Sequence, residues 1–274
     1  MDIRLICMDL DGTALQNDHK TFTPRLLNVL EEAHQQGIAI VPVTGRQYQL
    51  LPQLLLEHPV WESYVVLANG AQIRKLGTGE LLHSLTIPAE ALCQLLTLAA
   101  DFSIPIEFSI DSCLHLTDLS WQRQQGIPNL HFHVHTILKS HGRIVDSLDP
   151  LCCQAVEKVN LPHVPEPLHA AVESALKQID VTAVWSSATS MEITHSDATK
   201  GNGLAALSRL TGIPIENIMA LGDSGNDETM LRCAGLGVAM GNAPAFVKAA
   251  ADVTTETNEN DGAAIAIETY ALNR

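Results

Sequence analysis

Short apolar runs alternate with amphipathic segments over the first 70 residues of the chain. Buried parallel strands read as continuous apolar runs, and three such runs occur at residues 3–8, 38–43 and 63–68. Thr23 and Pro24 predict the start of a helix that ends at Gly37, and a second helix is predicted from about Gln47 to Glu57. This alternation predicts a doubly wound parallel sheet with right-handed crossovers.

The pattern changes after Asn69-Gly70, which is a turn signal. The next residues predict a hairpin around Gly77-Thr78-Gly79. From about residue 86 to residue 187, short strand-like runs and separate helices replace the strand–helix alternation. This segment predicts an inserted α+β domain with a largely antiparallel sheet.

The strand–helix alternation resumes after Met191 and continues to the last helix. The predicted fold is therefore α/β, with a doubly wound parallel sheet and an inserted α+β cap domain. We expect residues 1–85 and 188–274 to form the core and residues 86–187 to form the cap, with linkers near 82–86 and 187–191.

Composition excludes several classes of protein. The 274 residues carry a formal net charge of -15, which opposes binding to nucleic acid or to anionic membranes. No apolar stretch is long enough to span a bilayer, and the N-terminus lacks the pattern of a signal peptide. The six cysteines are scattered and form no disulfide or metal-binding pattern. We therefore expect a cytoplasmic protein with reduced thiols.

Polar motifs follow several of the predicted strands. They are Asp9-Leu10-Asp11-Gly12-Thr13, Thr44-Gly45-Arg46, Lys200 at a helix start, and Gly222-Asp223-Ser224-Gly225-Asn226-Asp227. Each one alone is ordinary turn or helix-cap chemistry. In an open α/β sheet the carboxyl ends of parallel strands lie at one edge, so these residues can converge. As a set they predict a phosphate site with a metal.

The acidic residues of this set require a cation. Asp9 and Asp11 are two residues apart, so in an extended segment both carboxylates point to one side. Two like charges about 4 Å apart repel by roughly 4 kcal/mol at an effective dielectric constant of about 20. Together with Asp223, and with no cysteine nearby, these oxygen ligands favour Mg2+ over zinc or copper.

The remaining motif residues suit phosphate. Thr44 and Gly45 offer a hydroxyl and backbone N–H groups at a predicted helix start, although a plain helix cap is the simpler interpretation of that turn alone. Lys200 offers a point charge for phosphate, and a single lysine is more often solvated. Asp227 is a first-turn acid when it is considered alone.

These positions resemble the four motifs of the haloacid dehalogenase-like (HAD) phosphatases. Asp9–Thr13 is similar to the first motif, the Thr44 turn to the second, Lys200 to the third, and residues 222–227 to the fourth. The insert between Asn69 and Lys200 and the Asn-Gly-Ala at 69–71 are most similar to the Cof-type subfamily with a type IIB cap.

The resemblance implies a phosphoric monoester hydrolase with defined residue roles. Asp9 would attack phosphorus and form an aspartyl-phosphate, while Asp11 would protonate the leaving alcohol and later activate water. Mg2+ would be held by Asp9, the Asp11 carbonyl and Asp223, with Asp227 supporting these ligands from behind. The phosphoryl oxygens would be held by Leu10 N–H, Thr44, Gly45, Lys200 and Asn226.

The expected partner is a small phosphorylated metabolite, either a sugar phosphate or a phosphorylated cofactor. Two other functions stay open: a phosphotransferase or mutase of the same fold, and a non-catalytic sensor of a phosphorylated ligand. The sequence predicts no oligomeric state. His131, His133 and His135 would share one face of a strand and could bind a metal, but a solvated strand at the sheet edge is the favoured interpretation.

Overall fold

The computed structural model of this chain describes residues 2–61, 63–131 and 133–274. In chain order its strands are β1 (Leu5–Met8), β2 (Ala39–Pro42), β3 (Tyr64–Leu67), β4 (Gln72–Lys75), β5 (Leu81–Ser84), β6 (Glu107–Ile110), β7 (Cys113–Thr117), β8 (Gly142–Val145), β9 (Val156–Leu161), β10 (Val181–Trp185), β11 (Met191–His195), β12 (Ile218–Gly222), β13 (Leu236–Ala239) and β14 (Val253–Thr254).

The α-helices are, in the same order, α1 (Pro24–Gln35), α2 (Gln53–Glu57), α3 (Ala89–Asp101), α4 (Asp118–Gln125), α5 (Lys139–His141), α6 (His169–Leu176), α7 (Lys200–Thr211), α8 (Glu228–Cys233), α9 (Ala245–Lys248) and α10 (Gly262–Tyr270). None of the helices in the described residues is both long enough and apolar enough to cross a membrane.

The chain forms two compact units, one of residues 1–83 and 199–274 and the other of residues 84–198. Unit 1 contains a five-stranded parallel sheet with the order β14-β13-β12-β1-β2. Side chains alternate along β1, so that Ile6 and Met8 pack in one apolar layer and Leu5 and Cys7 in another. Helices α1 and α10 contribute to the first layer and α7 to the second, which confirms the doubly wound fold.

The register of the central strands aligns their carboxyl ends. Met8 lies beside Pro42 on one side and beside Leu221 on the other. The residues that follow these three strands therefore emerge side by side at one edge of the sheet. This edge carries the motifs that the sequence singled out.

Two expectations for this region are wrong in detail. Strand β3 pairs antiparallel with β4 in a separate sheet β3-β4-β5 and meets the extension of β2 through one parallel bridge, Val43 with Val66. The helix expected from Gln47 to Glu57 is a 3-10 turn followed by the short α2, because Leu51 precedes Pro52 and is extended. The hairpin around Gly77-Thr78-Gly79 is present, with Lys75 N–H donating to Glu80 O at 2.8 Å.

Unit 2 contains a six-stranded sheet with the order β10-β11-β9-β6-β7-β8. All neighbours are antiparallel except β7 and β8. Helices α3 and α6 pack on the face that carries Phe108, Val159 and Ile193. Strand β11 also belongs to this sheet, and unit 2 extends to Ala198. The boundary expected near residues 187–188 therefore lies too early, because it leaves β11 out of the unit.

The histidine run of unit 2 is not a strand. Residues 133–138 form a helical turn, and Phe132 lies outside the described residues. The rings of His131 and His135 contact each other at 4.3 Å, while His133 Nε2 lies 2.9 Å from the buried carboxylate of Glu107. The helical turn does not place the three imidazoles in one row, and His133 has a carboxylate partner that the sequence did not indicate.

Candidate active site

Asp9 emerges from β1 into a turn that leaves the strand at once. Its N–H still donates to Leu221 O at 3.0 Å, but the carbonyls of Asp9 and Leu10 already accept from Ala14 and Leu15 N–H. Gly12 has a φ of +77°, and a Cβ there would lie 2.5 Å from Asp223 Oδ2. Glycine is therefore required, both for the backbone conformation and for the close approach of Asp223.

Lys200 is held at the start of α7. The side chain of Thr199 caps this helix by accepting from Asn202 N–H, which places Lys200 at the first helical position. The Lys200 side chain is 0% exposed, and its Nζ donates to Asp9 Oδ1 and to Asp227 Oδ1, both at 2.6 Å. The ammonium therefore joins the first and the fourth motif directly.

Asp227 is oriented through both of its oxygens. Oδ1 accepts from Lys200, while Oδ2 accepts from the N–H groups of Asp223 and Ser224, at 2.9 Å each. These bonds fix the turn between β12 and α8. Asp227 thus holds both the loop after β12 and the ammonium of Lys200.

Asp223 is directed by two neighbouring groups. Thr13 Oγ1 donates to its Oδ1 at 2.9 Å, and Asn242 Nδ2 donates to its Oδ2 at 3.3 Å. Burial, followed by the charge of Asp227, raises the pKa of Asp223 from its usual 3.8 to about 6. Burial disfavours the charged form of the Asp223 carboxyl, and the neighbouring carboxylate of Asp227 disfavours it further.

The acidic cluster fits a divalent cation. Oxygens of Asp9, Asp223 and Asp227 lie within 4.8 Å of one another. Burial also raises the pKa of Asp9, against the opposing charge of Lys200. Three carboxylates share one ammonium in this cluster, and the excess negative charge together with an oxygen-only donor set suits a hard cation. Each of the three carboxylates offers one oxygen to such an ion, and Asp227 is also held by Lys200 and by two backbone N–H groups.

Asp11 does not join this cluster with its carboxylate. Its oxygens accept from Arg46 Nε and Nη2 at 2.7 and 2.6 Å, and His19 Nδ1 lies 2.8 Å from Oδ1. Burial alone would raise the pKa of Asp11, but the contacts with Arg46 and His19 bring it below its usual value. The expectation that Asp9 and Asp11 point to one side is wrong, because the strand ends at Met8 and residues 10–14 form a turn.

The residues expected to hold phosphate occupy adjacent loops. Thr44 is 1% exposed, and its hydroxyl accepts from Arg46 N–H at 3.1 Å, so it stabilises a turn rather than capping a helix. Leu10 is buried directly after Asp9, and Gly45 follows Thr44. The Asn226 side chain donates to Asn69 Oδ1 at 2.9 Å, and Asn69 N–H donates to Thr44 O at 3.1 Å.

Several residues of the site were not assigned from the sequence. Thr13, Arg46 and Asn69 belong to the sequence motifs at residues 9–13, 44–46 and 69–71. A motif does not predict which partner each side chain contacts. His19 and Asn242 had no sequence signal, because each reaches the site from a separate loop.

The chain is similar to known proteins along nearly its whole length. The family model of the haloacid dehalogenase-like hydrolases matches residues 6–267. YxeH of Bacillus subtilis is 33% identical over 280 residues, with 98% of both chains covered. The 5-amino-6-(5-phospho-D-ribitylamino)uracil phosphatase YcsE of the same organism is 30% identical over 278 residues, with 99% of this chain and 97% of that protein covered.

A solved structure of a HAD subclass IIB sugar phosphatase superposes with a TM-score of 0.83 at 24% identity, covering 98% of this chain and 99% of that one. This similarity shows a shared fold.

The affinity of this acidic cluster for a divalent cation is expected to fall as the pH decreases below about 6. A proton and the cation compete for the Asp223 carboxylate, and its raised pKa means that the proton is held up to about pH 6. The loss should approach about tenfold per pH unit. Calorimetric titration with Mg2+ between about pH 5 and about pH 8 measures this, and a constant affinity over that range would contradict it.

Replacing the buried ammonium should destabilise the protein. Lys200→Met keeps a similar side-chain volume but leaves Asp9 and Asp227 without their shared cation. Without metal, we expect the free energy of unfolding near neutral pH to fall by about 3–5 kcal/mol. The loss should be smaller at low pH, where the carboxyl groups are protonated.

Chemical denaturation of the native protein and of Lys200→Met measures this loss of stability. Lys248→Met is the control variant. Lys248 Nζ donates to the carbonyl of Gly241. An equal loss for the two variants would show that the buried ion pair is not responsible.

Proposed function

The chain belongs to the haloacid dehalogenase-like hydrolases and is a phosphoric monoester hydrolase, and we propose that it dephosphorylates small metabolites with Mg2+ through an aspartyl-phosphate on Asp9. The observation that carries this mechanism is the position of Asp9. Its carboxylate lies at the end of β1, bound by the buried ammonium of Lys200 and close to Asp223. A nucleophile and a charge-neutralising group are thus held together, which is what phosphoryl transfer requires.

In the first proposed step, an oxygen of Asp9 attacks phosphorus and the bond from phosphorus to the leaving oxygen breaks. Asp11 gives its proton to that oxygen, so the product leaves as an alcohol. In the structure Asp11 is paired with Arg46, so it must separate from the guanidinium and take up a proton before this step. Lys200 and Asn226 would neutralise and orient the phosphoryl oxygens.

In the second proposed step, water attacks phosphorus and the bond to Asp9 breaks. Asp11 accepts the proton from the water, and inorganic phosphate leaves. The contacts with Arg46 and His19 suit this step, because they favour the ionised carboxylate that a general base needs. Mg2+ held by Asp9, Asp223 and the Asp11 carbonyl would supply charge neutralisation and favour the ionised form of Asp9.

The proposed substrates are sugar phosphates or phosphorylated cofactors. The relative YcsE is named for a substrate that carries its phosphate on a ribityl group, and it is 30% identical over 99% of this chain. None of the proposed catalytic residues recognises anything beyond the phosphate itself. Discrimination among substrates must therefore come from other side chains.

We assign that discrimination to unit 2. The face of its sheet that carries Phe108, Val159 and Ile193 is covered by α3 and α6, while the opposite face carries Asn160 and Glu192. Asn160 on β9 lies between Glu107 on β6 and Glu192 on β11. Glu107 is fully buried and accepts from Asn160 Nδ2 at 3.3 Å, so the half-buried Asn160 and Glu192 are the groups that suit recognition of hydroxyl groups.

Asp9→Asn should abolish turnover. The change keeps the size of the side chain but removes the attacking charge, so kcat should fall by several orders of magnitude while the fold survives. Phosphate release from a panel of phosphorylated metabolites, with Mg2+ and with chelator, measures this. Near-normal turnover in the folded variant would falsify the role of Asp9, and full activity in chelator would exclude the metal.

Removing unit 2 should reduce the preference among substrates. Joining His83 to Thr199 through a short linker retains every proposed catalytic residue. Slow hydrolysis of an activated phosphate ester should remain, but kcat/KM should become similar across the metabolite panel.

Asn160→Ala in the full chain serves as a companion variant. It should change the ranking of substrates, whereas Thr97→Ala, on an exposed position of α3, should not. An unchanged ranking in both the truncated chain and Asn160→Ala would show that unit 2 does not select the substrate.

A further inference from the structure

Asn69 occupies an unusual place for a turn residue. It follows β3 with a φ of 57°, a left-handed conformation that asparagine tolerates, and it is only 4% exposed. An asparagine that merely stabilises a turn bonds to nearby backbone. Here Oδ1 accepts from Nδ2 of Asn226, 157 residues further along the chain.

This contact sets the orientation of the Asn226 amide. Ser224 Oγ donates to Asn226 Oδ1 at 2.6 Å, so the carbonyl end of the amide is directed to Ser224 and the NH2 end to Asn69. Within the part of the chain that the structure describes, Asn69 takes one of the two Nδ2 hydrogens. The second hydrogen is left for an incoming acceptor such as a phosphoryl oxygen.

The same turn also contacts the other two phosphate loops. Asn69 N–H donates to Thr44 O at 3.1 Å, which ties it to the second motif. Gly70 has a φ of +99°, and a Cβ there would lie 2.1 Å from Thr199 O, immediately before Lys200. The Asn69-Gly70 turn is therefore in contact with the segments that carry Thr44, Lys200 and Asn226.

We infer that Asn69 is a positioning residue for phosphate binding, which aims the Asn226 amide at the phosphoryl group and holds the Thr44 turn beside it. This role rests on the proposed function, because it assumes that Asn226 and Thr44 contact phosphate. The effect of Asn69 is to fix the NH2 end of an amide whose carbonyl end is held by Ser224.

Asn69→Gly tests the inference directly. Glycine keeps the left-handed backbone but removes the carboxamide. We expect the dissociation constant of inorganic phosphate, measured by calorimetry with Mg2+ present, to rise roughly five- to thirtyfold, as for the loss of one hydrogen bond. Asn273→Gly is the matched control, because Asn273 has a φ of 56° and is exposed near the end of the chain. It should leave phosphate affinity unchanged.

A double-mutant comparison separates positioning from general damage. In the native background Asn226→Ala should weaken phosphate binding, and in the Asn69→Gly background it should add little, because the amide is already misplaced. Asn69→Asp keeps the acceptor and tolerates the same φ. The added negative charge changes the phosphate affinity of Asn69→Asp itself. Adding Asn226→Ala to this variant should nevertheless weaken phosphate binding further.

The outcomes separate a failure of the proposed function from a failure of the positioning role of Asn69. If the native protein binds no phosphate, the proposed function fails. If the native protein binds phosphate and Asn69→Gly binds it equally well, the positioning role alone fails. It also fails if Asn226→Ala has the same effect in the Gly and Asp backgrounds. If Asn69→Gly does not fold, Asn226→Ala without an effect in the Asn69→Asp background overturns the positioning role.

Discussion

The buried ammonium of Lys200 is the interaction on which the rest of the site depends. It is fully buried and shared between Asp9 and Asp227, so it joins the end of β1, the start of α7 and the loop after β12. A buried charge is tolerated only when it is paired and hydrogen-bonded, and here each partner is itself held in place. Because one ammonium serves a cluster of three carboxylates, the cluster retains negative charge that a metal ion can neutralise.

Two carboxylates that are two residues apart acquire different chemistry from their surroundings. Asp9 faces Lys200 and further acids, and burial raises its pKa. Asp11 turns to Arg46 and His19, and its pKa is lowered. Different environments for neighbouring acids are the usual basis for separate nucleophilic and acid–base roles. The turn at residues 10–14 creates the difference, because a regular strand would have directed both side chains to the same side.

Regular parts of the fold were predictable because their patterns are local. The apolar runs of β1 and β2, and the capped helices α1 and α7, follow from periodicity and cap residues. Predictions failed where a distant partner decides the outcome. Strand β3 pairs with β4 rather than extending the parallel sheet, and β11 joins the sheet of unit 2 because β9 and β10 are its neighbours. The histidine run became helical and placed His133 against Glu107, a contact between residues 26 positions apart.

The sequence by itself determined the α/β class, the inserted domain and the acids and lysine of the four motifs, because residue type and spacing carry that information. Only the tertiary structure decided which atoms meet. The pairing of Asp11 with Arg46, the direction of Asp223 by Thr13 and Asn242, and the contact of Asn69 with Asn226 depend on loops brought together by the sheet. Hydrogen bonds across such distances leave no periodic trace in a sequence, since each requires the register and turns of several elements at once.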